Sequence, residues 1–451
     1  MYLKKLRLQN IRCFEDVGIE FPHSGGNYGG WNVILGPNGF GKSTILGAIA
    51  ECALESIAHS WTHDDDWVRD KATAGQMEAT FLATKFDDHD VRVGSAERGP
   101  TAGGTKRQLT IHSVLERGEI EWESKTLRPK KHNTPGWVVC GYGPFRRLTR
   151  TPEITNLPAG YDQFRTLLDD RLGISEPFAW LREVYGRSID PKASNRDILR
   201  RSFPVLVETV NQLLPGGVKV KDVSTERVSF RTMSGVTADP LRLSDGYRSF
   251  LALAVDLLMR VFQATDRFHE YVVVDTDTGT PRILADGIVL IDEADAHLHP
   301  SWQRELGERL RRVFPKIQFI VTTHSPFIAQ EATDEGLFIL RPTKKGTVEV
   351  EKFGESVRGW TATQILTSPA FGLHSTRSVE TEQLVQRNSE LVSKERAGKL
   401  TATEKKEFRQ IRKALETQLS APGETYDEMN RQEEIQRYVA ESLKRINNGK
   451  S

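Results

Sequence analysis

The chain has 451 residues, 62 basic and 61 acidic, which leaves a formal charge of +1. That length allows roughly two or three domains, or one large α/β domain carrying insertions. Balanced charge excludes a whole-protein field for nucleic acid or membrane, so any such surface must be local.

The three cysteines, Cys13, Cys52 and Cys140, are odd in number, far apart and without metal-ligand spacing, which fits a reduced cytoplasmic protein. The opening MYLKKLRLQNIRCF alternates like a strand and lacks the apolar core of a signal peptide. No apolar stretch reaches the roughly 18 residues that a membrane-spanning helix needs.

Next comes the apolar run Trp31–Leu35, followed by Gly-Pro-Asn-Gly-Phe-Gly-Lys-Ser-Thr at 36–44, a complete phosphate-loop motif between a predicted strand and a predicted helix. Gly36, Gly39 and Gly41 let the backbone curl so that its N–H groups converge on phosphate oxygens. Lys42 adds a point charge, Ser43 offers a hydroxyl to Mg²⁺, and the helix from Thr44 aims its positive end at the same place. Asn38 and Thr44 complete the nucleotide-binding set. The Asp64–Asp66 run that follows reads as a solvated loop.

About 200 residues separate this loop from the next motif. They show no heptad array and are punctuated by Pro129, Pro135, Pro144, Pro152, Pro158, Pro177, Pro191 and Pro204, which excludes a long coiled-coil rod. Compact lobes are expected, β-rich from Gln76 to Cys140 and helical from Tyr161 to Leu214. Within them Lys125, Arg128, Lys130, Lys131, Arg146, Arg147 and Arg150 place seven positive charges in 26 residues with no acid, interleaved with Trp137, Tyr142 and Phe145. Such a run suits a nucleic-acid backbone, a cradle for nucleotide phosphates, or a solvated face.

Leu243-Ser-Asp-Gly-Tyr-Arg-Ser249 then starts a long apolar helix whose N-terminus, with Ser244 and Gly246, is suited to an anion. The buried-strand run Ile288–Ile291 ends in Asp292-Glu293: the Asp is placed for Mg²⁺ and the Glu to polarise an attacking water. One crossover helix later, Trp302–Val313, the strand Ile317–Val321 ends in Thr-Thr-His324-Ser-Pro, which puts His324 near the γ-phosphate. About 125 residues remain, with no Asp-x-Asp pair for a metal nuclease. Thr401 and Glu404 form a capping box leading a helix with Phe408, Ile411, Leu415 and Leu419 on one stripe, and a last helix carries Ile435, Val439, Leu443 and Ile446. These stripes pack either on their own head or on a partner.

Taken in order, the phosphate loop, LSDGY, VLIDEADAHLHP and TTHSP resemble the ABC-type ATPase head of the SMC, RecF and OLD class. The opening LKKLRLQNIRCFEDVGIEF resembles that class's first strand and the loop beside the purine, which brings in Arg12. Arg69 occupies a place similar to an arginine near the nucleotide. The resemblance implies an α/β P-loop ATPase head binding ATP and Mg²⁺. Ser244 and Gly246 would be the signature facing a second copy, Ser43 and Asp292 the metal residues, Glu293 the catalytic glutamate, Asp295–His299 the loop at the dimer seam, and His324 the switch histidine. Asp245 stands where the broader family commonly has Gly, and no Q-loop glutamine follows the strand Trp137–Cys140, which runs into GYGPFRR.

The implied plan is residues 1–95 for the first part of the head, 96–220 for inserted lobes, 221–372 for the second part and 373–451 for a helical tail. With short insertions, no Toprim nuclease domain and that tail, the chain is similar to the PtuA ATPase subunits of Septu and retron-associated anti-phage systems. That likeness implies a homodimer or higher homo-oligomer acting with an HNH-type nuclease. A RecF-like DNA-repair clamp, binding DNA or RNA, stays open beside it.

Overall fold

Runs such as Gly287–Ile291 and Ile317–Thr322 are apolar at nearly every position, which suits a strand covered on both faces. In the computed structural model they lie side by side in a six-stranded sheet. Its order is Val348–Lys352, Leu337–Pro342, Gly30–Leu35, Ile317–Thr322, Gly287–Ile291, Val138–Tyr142. All neighbours pair in parallel except the edge strand Val348–Lys352. The structure describes residues 1–24, 27–55, 67–84, 89–91, 108–116, 119–123, 127–129, 138–146, 148–149, 161–175, 177–264, 268–418 and 435. The chain divides into two units, Met1–Gly372 and Leu373–Ser451.

Successive side chains of a strand point to opposite faces, so each strand of the sheet feeds two cores. Trp31, Val33 and Leu35, with Val289 and Ile291, face a core shared with the helices Pro177–Ile189, Arg196–Leu213, Asp245–Gln263 and Pro300–Val313. Ile34, Ile288, Leu290 and Ile320 face the other core, shared with the phosphate-loop helix Lys42–Glu55 and the strands Tyr2–Ile11, Phe14–Glu20 and Ala74–Leu82. Those three strands belong to a five-stranded sheet completed by Gln108–Glu116 and Glu119–Glu123. The phosphate-loop helix and the helix led by Ser244 thus lie on opposite faces of the parallel sheet.

Within 96–220, Gln108–Glu116 and Glu119–Glu123 extend the sheet begun by Tyr2–Ile11, Val138–Tyr142 is an edge strand of the parallel sheet, and the helices Pro177–Ile189 and Arg196–Leu213 fill the same core as Asp245–Gln263. Among the described residues no helix is long and apolar enough to cross a membrane.

A buried polar pair fastens one sheet to the other. Gln318 is fully buried, and its amide accepts from the Leu3 N–H at 2.8 Å and donates to the Leu3 C=O at 2.9 Å. Those groups are available because the pairing of Tyr2–Ile11 with Ala74–Leu82 slips between Leu3 and Lys5. Gln318→Leu should leave both backbone groups buried and unpaired, at a cost of about 2–4 kcal/mol. The urea midpoint should fall accordingly, and an unchanged midpoint would remove this role from Gln318.

The second unit holds a helical hairpin, Val379–Arg396 and Ala402–Gln418. Ser378 caps the first helix through the Thr381 N–H, and Gly398, at φ +68°, closes it in the left-handed conformation that glycine adopts without cost. The capping box is present: the Thr401 hydroxyl accepts from the Glu404 N–H at 3.2 Å, and Glu404 accepts from the Thr401 N–H at 3.0 Å. Phe408, Ile411 and Leu415 pack on Leu391, with ion pairs Arg387–Glu407 and Lys394–Glu404 alongside. Within the described residues, that stripe is covered by the preceding tail helix. Leu419, Val439, Leu443 and Ile446 lie outside the described residues, and Ile435 is exposed.

Candidate nucleotide site

The site gathers where the strands Gly30–Leu35, Ile317–Thr322, Gly287–Ile291 and Val138–Tyr142 end, the edge at which parallel sheets bind ligands. Gly39 and Gly41 hold φ of +79° and +84°, which turns the loop's N–H groups inward. Gly41 also has no room for a side chain, because a Cβ there would lie 2.6 Å from Cys13 Sγ and 2.7 Å from the Phe14 ring. The turn between the first two strands therefore sits directly on the phosphate loop. Asn38 is exposed on the loop and Thr44 is buried at its base.

Lys42 is 7% exposed and donates to the carbonyls of Gly36 at 2.8 Å and Pro37 at 3.1 Å. Burial lowers its pKa, while the carboxylates of Asp292, Glu293 and Asp295 pull the other way. Ser43 donates to Asp292 Oδ2 at 2.6 Å, joining residues 249 positions apart in the chain. The other oxygen, Oδ1, accepts from the Thr322 hydroxyl at 2.5 Å, and that hydroxyl accepts from the Glu293 N–H at 2.8 Å. Thr322 thereby holds both acidic residues in one arrangement. The Glu293 carboxylate itself is exposed, on a backbone with φ of +44°.

The two motifs at 292–299 and 322–326 interlock further. Asp295 accepts from the Thr323 hydroxyl at 2.5 Å and from the His324 N–H at 3.2 Å, leaving the His324 ring exposed at the strand end. Ser325 donates to Gln303 at 2.7 Å, and Gln303 donates to the Leu298 carbonyl at 2.9 Å.

Arg12 and Arg69 flank the phosphate loop. The Arg12 guanidinium stacks 4.4 Å from the centroid of Trp67, whose ring edge lies 3.1 Å from where a Cβ on Gly47 of the loop's helix would be. Arg69 sits 4.0 Å from Glu15 and donates its N–H to the Asn10 carbonyl. Ser244 and Gly246 begin a helix on the sheet face opposite the phosphate-loop helix. Ser244 is the exposed N-cap of its helix, and a Cβ on Gly246 would lie 2.5 Å from the His297 carbonyl. Tyr247 packs edge-on against Trp302, with ring centroids 4.2 Å apart.

Arg146 corrects the basic-run reading. It is 3% exposed, and its guanidinium donates to the carbonyls of Asp292 at 3.0 Å, Glu293 at 3.2 Å, Gly143 at 3.4 Å and Ala296 at 3.5 Å. Burial pushes its pKa down to about 10, with the carboxylates of Asp292, Asp295 and Glu293 opposing that fall, so it stays charged. Of the run, Lys125, Lys130, Lys131, Arg147, Arg150 and Trp137 lie outside the described residues. Asp64–Asp66 do too. Thr322 was part of the motif read from sequence but carried no role there. The signal for Arg146 was its place just past a parallel strand's carboxyl end.

Residues 5–137 match a family described as an AAA domain, and residues 151–329 match one described as "AAA domain, putative AbiEii toxin, Type IV TA system". The chain is 32% identical over 406 residues to the retron Ec83 probable ATPase of Escherichia coli, covering 75% of this chain and 71% of that protein. It is 27% identical over 376 residues to the Septu protein PtuA of Bacillus mycoides (strain KBAB4), covering 83% of this chain and 45% of that protein. The chain thus spans less than half the length of that relative. Among solved structures, the SmcHead bound to the C-winged helix domain of ScpA aligns with a TM-score of 0.47 and 15% identity, over 78% of this chain and 98% of that one. The chain belongs to the family of AAA-domain ATPases that includes the retron Ec83 probable ATPase of Escherichia coli.

Proposed function

We propose that this ATPase works in a bacterial anti-phage defence complex, where it closes head to tail with a second copy across ATP and so restrains or releases a partner nuclease of the HNH type. Gly36–Thr44 would cradle the phosphates, with Lys42 between the β- and γ-groups and Arg12 and Arg69 beside the base. Ser43 Oγ and the Asp292 carboxylate, 2.6 Å apart, are hard oxygen donors that fit Mg²⁺, which would neutralise charge on the β- and γ-phosphates. Glu293 is placed to take a proton from the attacking water, and His324 to meet the γ-phosphate.

The observation that carries this reading is the division of the site between two faces. The phosphate loop, Asp292 and Glu293 share one sheet edge, while Ser244 and Gly246 begin a helix on the face opposite the loop's own helix. An exposed helix N-terminus that cannot serve its own phosphate loop is suited to serve a partner's. A nucleic-acid reading of the run from Lys125 to Arg150 loses Arg146 as an exposed charge, because that side chain is buried.

Mixing a Lys42→Ala chain with a Ser244→Arg chain tests the sharing. Each mixed dimer would hold one intact site, so turnover should return from two inactive parents, up to about a quarter of the wild-type level if pairing is random. Mixed dimers that form yet hydrolyse no ATP would count against a shared site.

A further inference from the structure

We propose that Arg146 is a positioning residue for ATP turnover, holding the Asp292–Ala296 turn in the shape that presents Glu293, and that it has little part in holding ATP. The inference rests on the assignment of Glu293 given above. Arg146 lies four residues past Tyr142, whose carbonyl accepts from the Asp292 N–H at 2.8 Å. The loop after that strand therefore folds back over the turn that its neighbour strand leads into.

The turn is of a kind that needs holding. Glu293 and His297 are not glycines, yet they have φ of +44° and +63°. Residues in that region persist only where the surroundings over-determine them. Here the carbonyls of Asp292, Glu293 and Ala296 converge on one guanidinium, 3.0–3.5 Å away. Without the cation those oxygens would face one another with no donor between them. A rigid, planar fork of N–H groups can serve several carbonyls in different directions at once, which a lysine ammonium cannot reproduce. The contacts are all to backbone, so the side chain sets the path of the turn and leaves both carboxylates to other work.

The Gly36–Thr44 loop lies outside this set of contacts, so nucleotide affinity and turnover should separate. Arg146→Lys keeps the charge and loses the fork, whereas Arg146→Met keeps the bulk and loses both. In the full-length chain, both variants should bind ATP with a dissociation constant within about twofold of wild type. The kcat should fall at least about tenfold for Lys and further for Met, with KM nearly unchanged.

Wild-type kcat in Arg146→Lys would overturn the proposal. So would losses of ATP affinity, kcat and thermal midpoint in step, since that is the pattern of a residue needed only for folding. Should Arg146→Met prove insoluble, the kcat and KM of Arg146→Lys decide alone. Lys42→Ala, run alongside, separates the two levels: turnover persisting there would overturn the site assignment itself, and the role of Arg146 with it.

Discussion

Glu293→Gln should bind ATP as tightly as the parent chain and hydrolyse it about 10²–10⁴ times more slowly, the range associated with loss of a general base. The amide is nearly isosteric and keeps the Glu293 N–H bond to Thr322, so the turn has no reason to move. What disappears is the ability to accept a proton from water. ATP-bound dimers should then accumulate and appear by size exclusion at twice the monomer mass, since the step that opens them is blocked. Lys42→Ala should behave oppositely. Its ammonium is the phosphate loop's own positive side chain, so ATP binding itself should fail and no dimer should form on adding ATP. Isothermal titration and a phosphate-release assay distinguish the two variants, and full turnover by Glu293→Gln would remove Glu293 from the chemistry.

Asp256→Ala should be among the most destabilising single changes in the molecule, costing about 3–5 kcal/mol of unfolding free energy. Asp256 is 1% exposed in the helix led by Ser244. Its carboxylate accepts from Tyr142 Oη at 2.8 Å and from Arg260 Nε at 2.8 Å. Arg260 also donates to Asp162 at 3.0 Å, which ties a third segment into the same group. Removing the carboxylate leaves a partly buried guanidinium with one acidic partner and a buried phenol with none. Asp256→Asn retains an acceptor and should cost less.

The same cluster predicts acid sensitivity. Burial alone would raise the Asp162 carboxyl, but Arg260 and Arg165 hold it below its ordinary value. A carboxyl whose folded pKa lies below its unfolded one stabilises fully above the unfolded value, and that contribution is lost as pH falls through the folded one. Urea midpoints of wild type and Asp162→Asn should therefore converge as the solution is acidified below the normal carboxylate range.

The parallel strands were legible because burial on both faces writes itself as an apolar run, and Ile288–Ile291 and Ile317–Val321 need no partner to be read that way. The phosphate loop, the acidic pair and His324 were legible as motifs. Their meeting at Ser43 and Asp292 required the structure, since 249 intervening positions carry no record of it. Gln318 and Arg146 were opaque for a common reason. A polar side chain reads as exposed unless its backbone partners are known, and here those partners are the carbonyls and N–H groups of distant segments. The stripe Phe408–Leu415 was visible as apolar, but periodicity shows that a face is covered and not what covers it.

Gly246 has a consequence for timing in a dimer of the proposed kind. Its backbone rests against the His297 carbonyl with no space for even a methyl group between them. The start of that helix would touch the partner's nucleotide, while the turn that includes His297 carries Glu293 for its own. A push on the helix from one nucleotide would reach that turn through a direct contact with its backbone. The two sites would then behave as ends of a short lever, and their firing would be correlated rather than independent.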